Sequence, residues 1–533
     1  MDEFPQRAAP AFLILWVPFL ALSIWLMRAG GFQSMSAFLA SLLLPMLVVA
    51  VLARTWRRFF LLHYPIVLLS AAFATYVITY GEAPGDFMSY VLATSSWQEL
   101  RGFFTIWQGQ RLILGAVALT GVYLALAFWC PPSPIFSVGS RARLVVLGVV
   151  AVLGAIAAPR PAALLTGINM NPVVGTTMFI EGPLSHAHAA VNGTAVIKVP
   201  YHASSHNTEE VHILVVGESA RRDSWSVYGY GRNTTPYLEK IRPEAVFFQN
   251  ARADANFTIY AVPILLTGMT PARFSMSAIK GSLVDLAEES GYSTSWMMNQ
   301  DSHISLLIGI HADRMVYPPL ISTLVSGGLP LDERLLPDVR QEIARSGKAR
   351  FIGIHSIGSH WPYSSRYPSG FERFGSKEPI TFKMAYTPDP GVLNAYDDTI
   401  AYTDWLLEQV IEAARKLTVP ATVTYYADHG EDLYALDGNA GHGTPTYDKH
   451  QFEVPAFIWM NAAYRAAHPD KVQAITANSD KAIRSHNLFD SLADIMGIQW
   501  PGARASESFA SPDFVPDTQG QYIAGGKLLS AAE

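Results

Sequence analysis

Apolar residues are spread so unevenly along this chain that its two parts must fold in different solvents. Roughly five long apolar runs, at about 11–30, 36–53, 59–80, 111–130 and 143–159, crowd the first ~160 of 533 residues. Each approaches the ~20 residues that cross a bilayer core as a helix. The sequence therefore predicts an α-helical membrane domain over 1–160, followed by a water-soluble α/β part. Arg7 precedes the first run, Arg54, Arg57 and Arg58 lie between the second and third, and Arg141 and Arg143 lie between the fourth and fifth. By the positive-inside rule these positions face the cytoplasm, so an odd number of spans leaves everything after residue 160 outside. Arg28 and Arg101 fall on the outer side and run against the rule. The first run is not read as a cleavable signal, because it lacks a strongly basic start and more spans follow.

The loop 81–110 carries Phe87, Tyr90, Trp97, Phe103, Phe104 and Trp107 among polar residues. Two readings stand: aromatics packed within a loop, or short interfacial helices that hold a lipid near the outer leaflet. Residues 161–205 hold Pro, Gly, Ala and scattered histidines with no clear period, as expected of a linker with a helix lying on the bilayer. Cys130 is the single cysteine, which excludes an internal disulfide framework and a thiolate metal cluster. A net charge of −6 and the lack of a basic cluster interleaved with aromatics argue against a nucleic-acid partner.

From 206 to 533 apolar β-type runs (211–216, 293–297, 350–355, 421–427, 454–460) alternate with helical patterns (281–290, 393–416). That alternation predicts a mostly parallel sheet sandwiched by helices. The last ~30 residues are expected to be poorly ordered. Asp428-His429-Gly430-Glu431 follows one strand run, and Glu218 follows another. Two strands ending in carboxylate and imidazole groups place a candidate zinc site at the carboxyl edge of the sheet. Thr258 precedes an apolar stretch; on local sequence it caps a helix, whereas beside a metal its hydroxyl becomes a nucleophile. His360 and His442 lie in loops beyond predicted strands, as hydrogen-bonders, metal ligands or acid–base partners.

Several runs in one order carry a resemblance. Gly217-Glu218-Ser219-Ala220-Arg221, Tyr228-Gly229-Tyr230-Gly231-Arg232-Asn233-Thr234-Thr235-Pro236, Thr258 five residues before Pro263, and Gly358-Ser359-His360 come first. Tyr396-Asp397-Asp398-Thr399 with Asp404, Asp428-His429-Gly430-Glu431 and His442 follow. Together they resemble the membrane-bound phosphoethanolamine transferases, lipid A and colistin-resistance type, of the alkaline phosphatase–sulfatase superfamily. The resemblance implies an alkaline phosphatase/sulfatase-like fold and one or two zinc ions. Glu218, Thr258, Asp428 and His429 would be primary ligands, with Thr258 also the nucleophile. It implies that His360 and His442 contact the donor phosphate or a second zinc. Glu431, Asn299 and His303 would lie near the phosphoethanolamine group, although His303 stands where relatives have a lysine.

The implied donor is phosphatidylethanolamine, the acceptor an envelope glycan or glycolipid, and the location the bacterial inner membrane with a periplasmic catalytic domain. The lack of cysteine after Cys130 departs from the disulfide-stapled lipid A branch and leaves the acceptor open. A phosphoglycerol transferase and an inactive membrane sensor or scaffold are the alternatives. A sulfatase is disfavoured, because no Cys/Ser-x-Pro-x-Arg context surrounds Thr258.

Overall fold

The five strand-type runs pair edge to edge, and two short segments extend them into a seven-stranded sheet. The computed structural model describes residues 199–533 apart from 207–208, 301–309, 318–330, 376–387, 436–437, 439, 518–519 and 531–533, with scattered positions between 55 and 129. In chain order the strands are β1 (Val211–Gly217), β2 (Ala245–Phe247), β3 (Ser293–Met298), β4 (Arg314–Val316), β5 (Arg350–His355), β6 (Ala421–Ala427) and β7 (Ala456–Met460). Across the sheet they run β2-β7-β6-β1-β5-β3-β4. The five from β6 to β4 are parallel, and β7 alone is reversed against both of its neighbours. The sheet is thus mostly parallel, as the alternating pattern predicts.

Every residue of β1 is buried, the mark of a parallel strand covered on both faces. His212 is its one polar side chain, and its two ring nitrogens are used on Thr422 Oγ1 at 3.0 Å and Glu210 Oε2 at 3.1 Å. Helices α1 (Thr258–Thr267), α2 (Leu283–Glu289), α3 (Leu336–Ala344), α4 (Pro390–Arg415) and α5 (Asn487–Ile495) are interspersed among the strands. α2 opens on a capping box between Ser282 and Asp285. α4 opens on Asp389, whose carboxylate accepts the Gly391 N–H at 2.7 Å, with Pro390 in the first turn.

Carboxylates of α4 bind down the loop that follows β1. Asp404 accepts the N–H groups of Tyr237 (2.9 Å) and Leu238 (3.1 Å) at the start of the short helix Pro236–Lys240. Asp397 accepts the Tyr230 hydroxyl at 3.0 Å and the Arg232 guanidinium at 2.8 Å. Much of the signature that carries the resemblance is therefore scaffold.

The C-terminal segment corrects an expectation. Its described residues are built into the fold: Gln521–Ala524 and Lys527–Ser530 form a hairpin, and Phe509, Phe514 and Tyr522 are buried. Single apolar residues in short segments leave no periodic signal, yet each fills the core. Arg484 stacks on Tyr522 at 4.2 Å and pairs with buried Asp254 at 2.7 Å. His486 Nδ1 meets the other Asp254 oxygen at 2.9 Å. Burial opposes the charge on His486, but the Asp254 carboxylate prevails and pushes its pKa up to about 9. A raised histidine pKa stabilises fully below the unfolded value of ~6.5 and ceases to do so as pH rises through about 9. The soluble part should accordingly lose about 3 kcal/mol across that window. Thermal melts of His486→Gln should start lower at pH 6.5 and be nearly flat where wild type declines; parallel curves would refute this.

The chain forms two compact units, residues 1–95 with 103–188, and 96–102 with 189–533. In the first, helical residues occur among 57–64 and 114–129. Leu61, Leu62, Leu114, Val117 and Phe128 there are exposed, and the Tyr64 hydroxyl meets Thr120 Oγ1 at 2.7 Å. Among the described residues no helix is long and apolar enough to cross a membrane. The five expected spans, the loop 81–110 and nearly all of 161–205 lie wholly or mostly outside the described residues.

Candidate metal centre

β1 and β6 are parallel neighbours with Gly217 opposite Ala427, so the next residues of each strand, Glu218 and Asp428, emerge side by side. The Asp428 N–H donates to the Gly217 carbonyl at 2.9 Å, which extends that register. Ligand atoms of Glu218, Asp428 and His429 lie within 4.8 Å of one another, and all three residues are buried. His429 Nε2 is 3.5 Å from Glu218 Oε1 and from Asp428 Oδ2. Its Nδ1 is 2.8 Å from the Gly430 carbonyl, so Nδ1 carries the proton and Nε2 presents its lone pair inward.

Thr258 is the first residue of α1, where the N-cap is Phe257 and no side chain makes a cap bond. The capping role is thereby excluded. Its hydroxyl turns into the site instead, 3.2 and 3.3 Å from the Glu218 oxygens and 3.1 Å from His429 Nε2. The fold thus gathers Glu218, Thr258, Asp428 and His429 around one point.

The electrostatics of that point call for a cation. Burial, then the neighbouring Asp428 carboxylate, drives the Glu218 pKa well above its usual range. Burial pushes His429 down. Asp428 Oδ1 accepts N–H groups from Ser219 (3.1 Å) and His429 (2.7 Å), while its buried Oδ2 has no hydrogen-bond partner. An unpaired buried carboxylate oxygen is costly. Two carboxylates, one neutral imidazole and a hydroxyl fit a zinc ion.

Hydrogen bonds and close packing from several neighbouring residues hold the ligands in place. Gln300 Nε2 donates to Glu218 Oε2 at 2.8 Å and to the Ser356 carbonyl at 3.0 Å. Ser219, in a left-handed conformation at φ 53°, donates its hydroxyl to Glu218 Oε1 at 2.7 Å. The Ser219 carbonyl is held by the Tyr396 hydroxyl at 2.6 Å. Gly358 packs so closely that an added Cβ would lie 2.9 Å from the Glu218 carbonyl oxygen. Asp332 accepts the N–H groups of Ile357 and Gly358 and, at 2.9 Å, the amide of Asn299.

His442 Nδ1 lies 3.2 Å from both Glu431 oxygens, and its ring centroid is 4.2 Å from that of His429. Burial pushes Glu431 up to about 8 and His442 down to about 4, which favours the neutral form of each. His360 follows β5 on a loop fixed by the Ser359 N–H bond to the Glu218 carbonyl at 3.0 Å. Its Nδ1 donates to the Trp361 carbonyl at 2.7 Å, which leaves Nε2 as the basic nitrogen. His303 lies outside the described residues.

The family model described as Sulfatase matches residues 211–498. Over 489 residues the chain is 22% identical to the phosphoethanolamine transferase EptC of Escherichia coli K12, spanning 85% of this chain and 82% of that one. The integral membrane protein lipooligosaccharide phosphoethanolamine transferase A (EptA) from Neisseria meningitidis has a similar fold. Its TM-score is 0.63 at 20% identity, over 94% of this chain and 97% of that one. The C-terminal periplasmic domain of EptC from Escherichia coli, solved in complex with Zn, gives a TM-score of 0.55 at 22% identity, over 62% of this chain and 96% of that one.

Proposed function

The chain belongs to the sulfatase family, and from that premise we propose that it moves phosphoethanolamine from phosphatidylethanolamine to an acceptor in the cell envelope. The observation that carries this reading is the Thr258 hydroxyl, turned away from its helix cap and set against Glu218 and His429 at 3.1–3.3 Å. A hydroxyl so placed suits covalent transfer, whereas the Cys/Ser-x-Pro-x-Arg context of sulfate hydrolysis is absent around it.

Glu218, Asp428 and His429, with Thr258, would hold a zinc ion. When bound, the ion lowers the pKa of a hydroxyl and offsets charge on phosphoryl oxygens. Thr258 Oγ1 forms its bond to phosphorus as the bond to the diacylglycerol oxygen breaks, and the Glu218 carboxylate stands at 3.2 Å to accept the hydroxyl proton. A proton for the leaving oxygen comes from His442 or His360. For His442, the protonated Glu431 at Nδ1 can resupply it. In the second displacement an acceptor hydroxyl attacks the phosphothreonine and gives its proton to the same histidine as the bond between phosphorus and Thr258 Oγ1 breaks, and Glu218 returns its proton to Thr258. Two displacements on one nucleophile give ping-pong kinetics.

The donor's acyl chains place the enzyme in a membrane, with its soluble unit on the periplasmic side. The apolar runs before residue 160 and the exposed Leu114, Val117 and Phe128 support that placement. The acceptor would be an envelope glycan or glycolipid.

The test is intact-mass analysis of the full chain in liposomes. Phosphatidylethanolamine should add one phosphoethanolamine group to the protein. An adduct formed only from phosphatidylglycerol would instead make it a phosphoglycerol transferase. No adduct from either lipid would favour a sensor or scaffold.

A further inference from the structure

Two residues before Thr258 the chain buries a side-chain amide completely, at Asn256. Its Nδ2 donates to the Thr444 carbonyl and to Gln451 Oε1, both at 2.8 Å. Its Oδ1 accepts the Gly525 N–H at 3.1 Å, and its backbone N–H donates to the Ile523 carbonyl at 3.2 Å. Both amide protons and the amide oxygen are used. The three partners lie on separate segments: two lead to the histidines of the site and the third to the C-terminal hairpin.

Thr444 is two residues beyond His442, on the loop that presents that ring. Gln451 accepts the Gly430 N–H on its carbonyl at 2.8 Å, one residue from His429. It also donates Nε2 to Thr444 Oγ1 at 3.0 Å. Gly525 lies in the C-terminal hairpin at φ 53°, where a Cβ would come within 2.9 Å of Pro445 Cα. The hairpin therefore rests on the His442 loop only because residue 525 is glycine.

We propose that Asn256 is a positioning residue: it locks the Thr258 loop, the His442 loop and the C-terminal hairpin into one unit and so fixes nucleophile against histidine. This rests on the reading of Thr258 as nucleophile. An aspartate there would turn one oxygen, in place of Nδ2, toward the Thr444 carbonyl and Gln451 Oε1, and a serine could not span all three partners. Misplacing a reacting group by ~1 Å costs about 100-fold in rate, so loosening this lock should act on catalysis as well as on folding.

The experiment compares Asn256→Ala with Asn478→Ala in the full chain. Asn478 is a matched control, a buried amide that donates to the carbonyls of Phe509 (3.0 Å) and Ser511 (2.9 Å). The maximal rate of Thr258 adduct formation, and its half-saturation, are read against phosphatidylethanolamine content. Hydrogen exchange is followed in peptides covering 253–258, 441–445 and 521–526. Asn256→Ala should lower the maximal rate about 100-fold, shift half-saturation by less than about threefold, keep its zinc, and raise exchange in all three segments together. Asn478→Ala should melt at a similarly reduced temperature and keep a near wild-type rate. Equal rates for the two variants, or faster exchange at 253–258 alone, would overturn the proposal. If Asn256→Ala does not fold, Gly525→Ala leaves the amide in place and should show the same pattern at smaller amplitude; a wild-type rate and exchange pattern there would also overturn it. Should wild type form no adduct, the donor assignment fails, and the exchange pattern still decides the role of Asn256.

Discussion

Replacing Thr258 by alanine should abolish the proposed phosphoethanolamine transfer, by at least about 10⁴-fold, while zinc remains bound. Loss on this scale is expected when a covalent nucleophile is removed, because what remains is only the binding and charge stabilisation around it. Zinc should stay because Glu218, Asp428 and His429 still converge within 4.8 Å without the threonine. The fold should also hold, since the Thr258 hydroxyl makes no cap bond to α1. Thr258→Ser keeps the hydroxyl and should keep measurable transfer at a reduced rate, because it loses the methyl group that restricts the side chain's rotamers. Intact mass and metal analysis on the same samples decide the matter. A phosphoethanolamine adduct persisting on the alanine variant would remove Thr258 from the chemistry. Loss of zinc in that variant would instead make the residue chiefly a ligand.

The parts of this fold legible in the sequence are those whose signal is continuous. Ala421–Ala427 and Arg350–His355 coincide with the β-type runs at 421–427 and 350–355, because a strand buried on both faces keeps a largely apolar, β-branched and aromatic stretch. Ala245–Phe247 and Arg314–Val316 are three-residue edge strands, too short to leave a period. The reversal of Ala456–Met460 was equally invisible, since an apolar run carries no direction. In the site, charged groups at strand ends stood out, and the fold places Glu218, Asp428 and His429 together. Their supports did not stand out. Gln300, Asp332 and Asn256 act through hydrogen bonds to segments 25 to 269 residues away in sequence. A buried amide or carboxylate of that kind looks like any polar loop residue until the chain is folded. Asp397, Asp398 and Asp404 mislead in the opposite sense. They mark the resemblance, yet the structure uses them to accept hydrogen bonds from neighbouring loops and a short helix.

Asp428→Asn should separate zinc binding from intrinsic stability with opposite signs. In wild type, Asp428 Oδ1 is already committed to the N–H groups of Ser219 and His429, and an asparagine oxygen can keep both bonds. The change falls on Oδ2, which becomes an NH₂ group 3.5 Å from His429 Nε2 and no longer carries charge toward the cation. Zinc affinity should fall by more than about 100-fold, beyond the 10–100-fold typical of outlying partners of a ligand. With zinc at a thousandfold excess over its dissociation constant, wild type gains about 4 kcal/mol, most of which the variant should forgo. In chelator the order should invert. There the wild-type site holds two buried carboxylates, and Asp428 helps force the Glu218 pKa upward. Removing one charge relieves that repulsion and removes a buried oxygen that lacks a partner. Melting curves with zinc and with chelator should therefore cross, wild type higher in the first and Asp428→Asn higher in the second. If wild type melts at one temperature under both conditions, the cluster holds no metal, and the charge argument for the site falls with it.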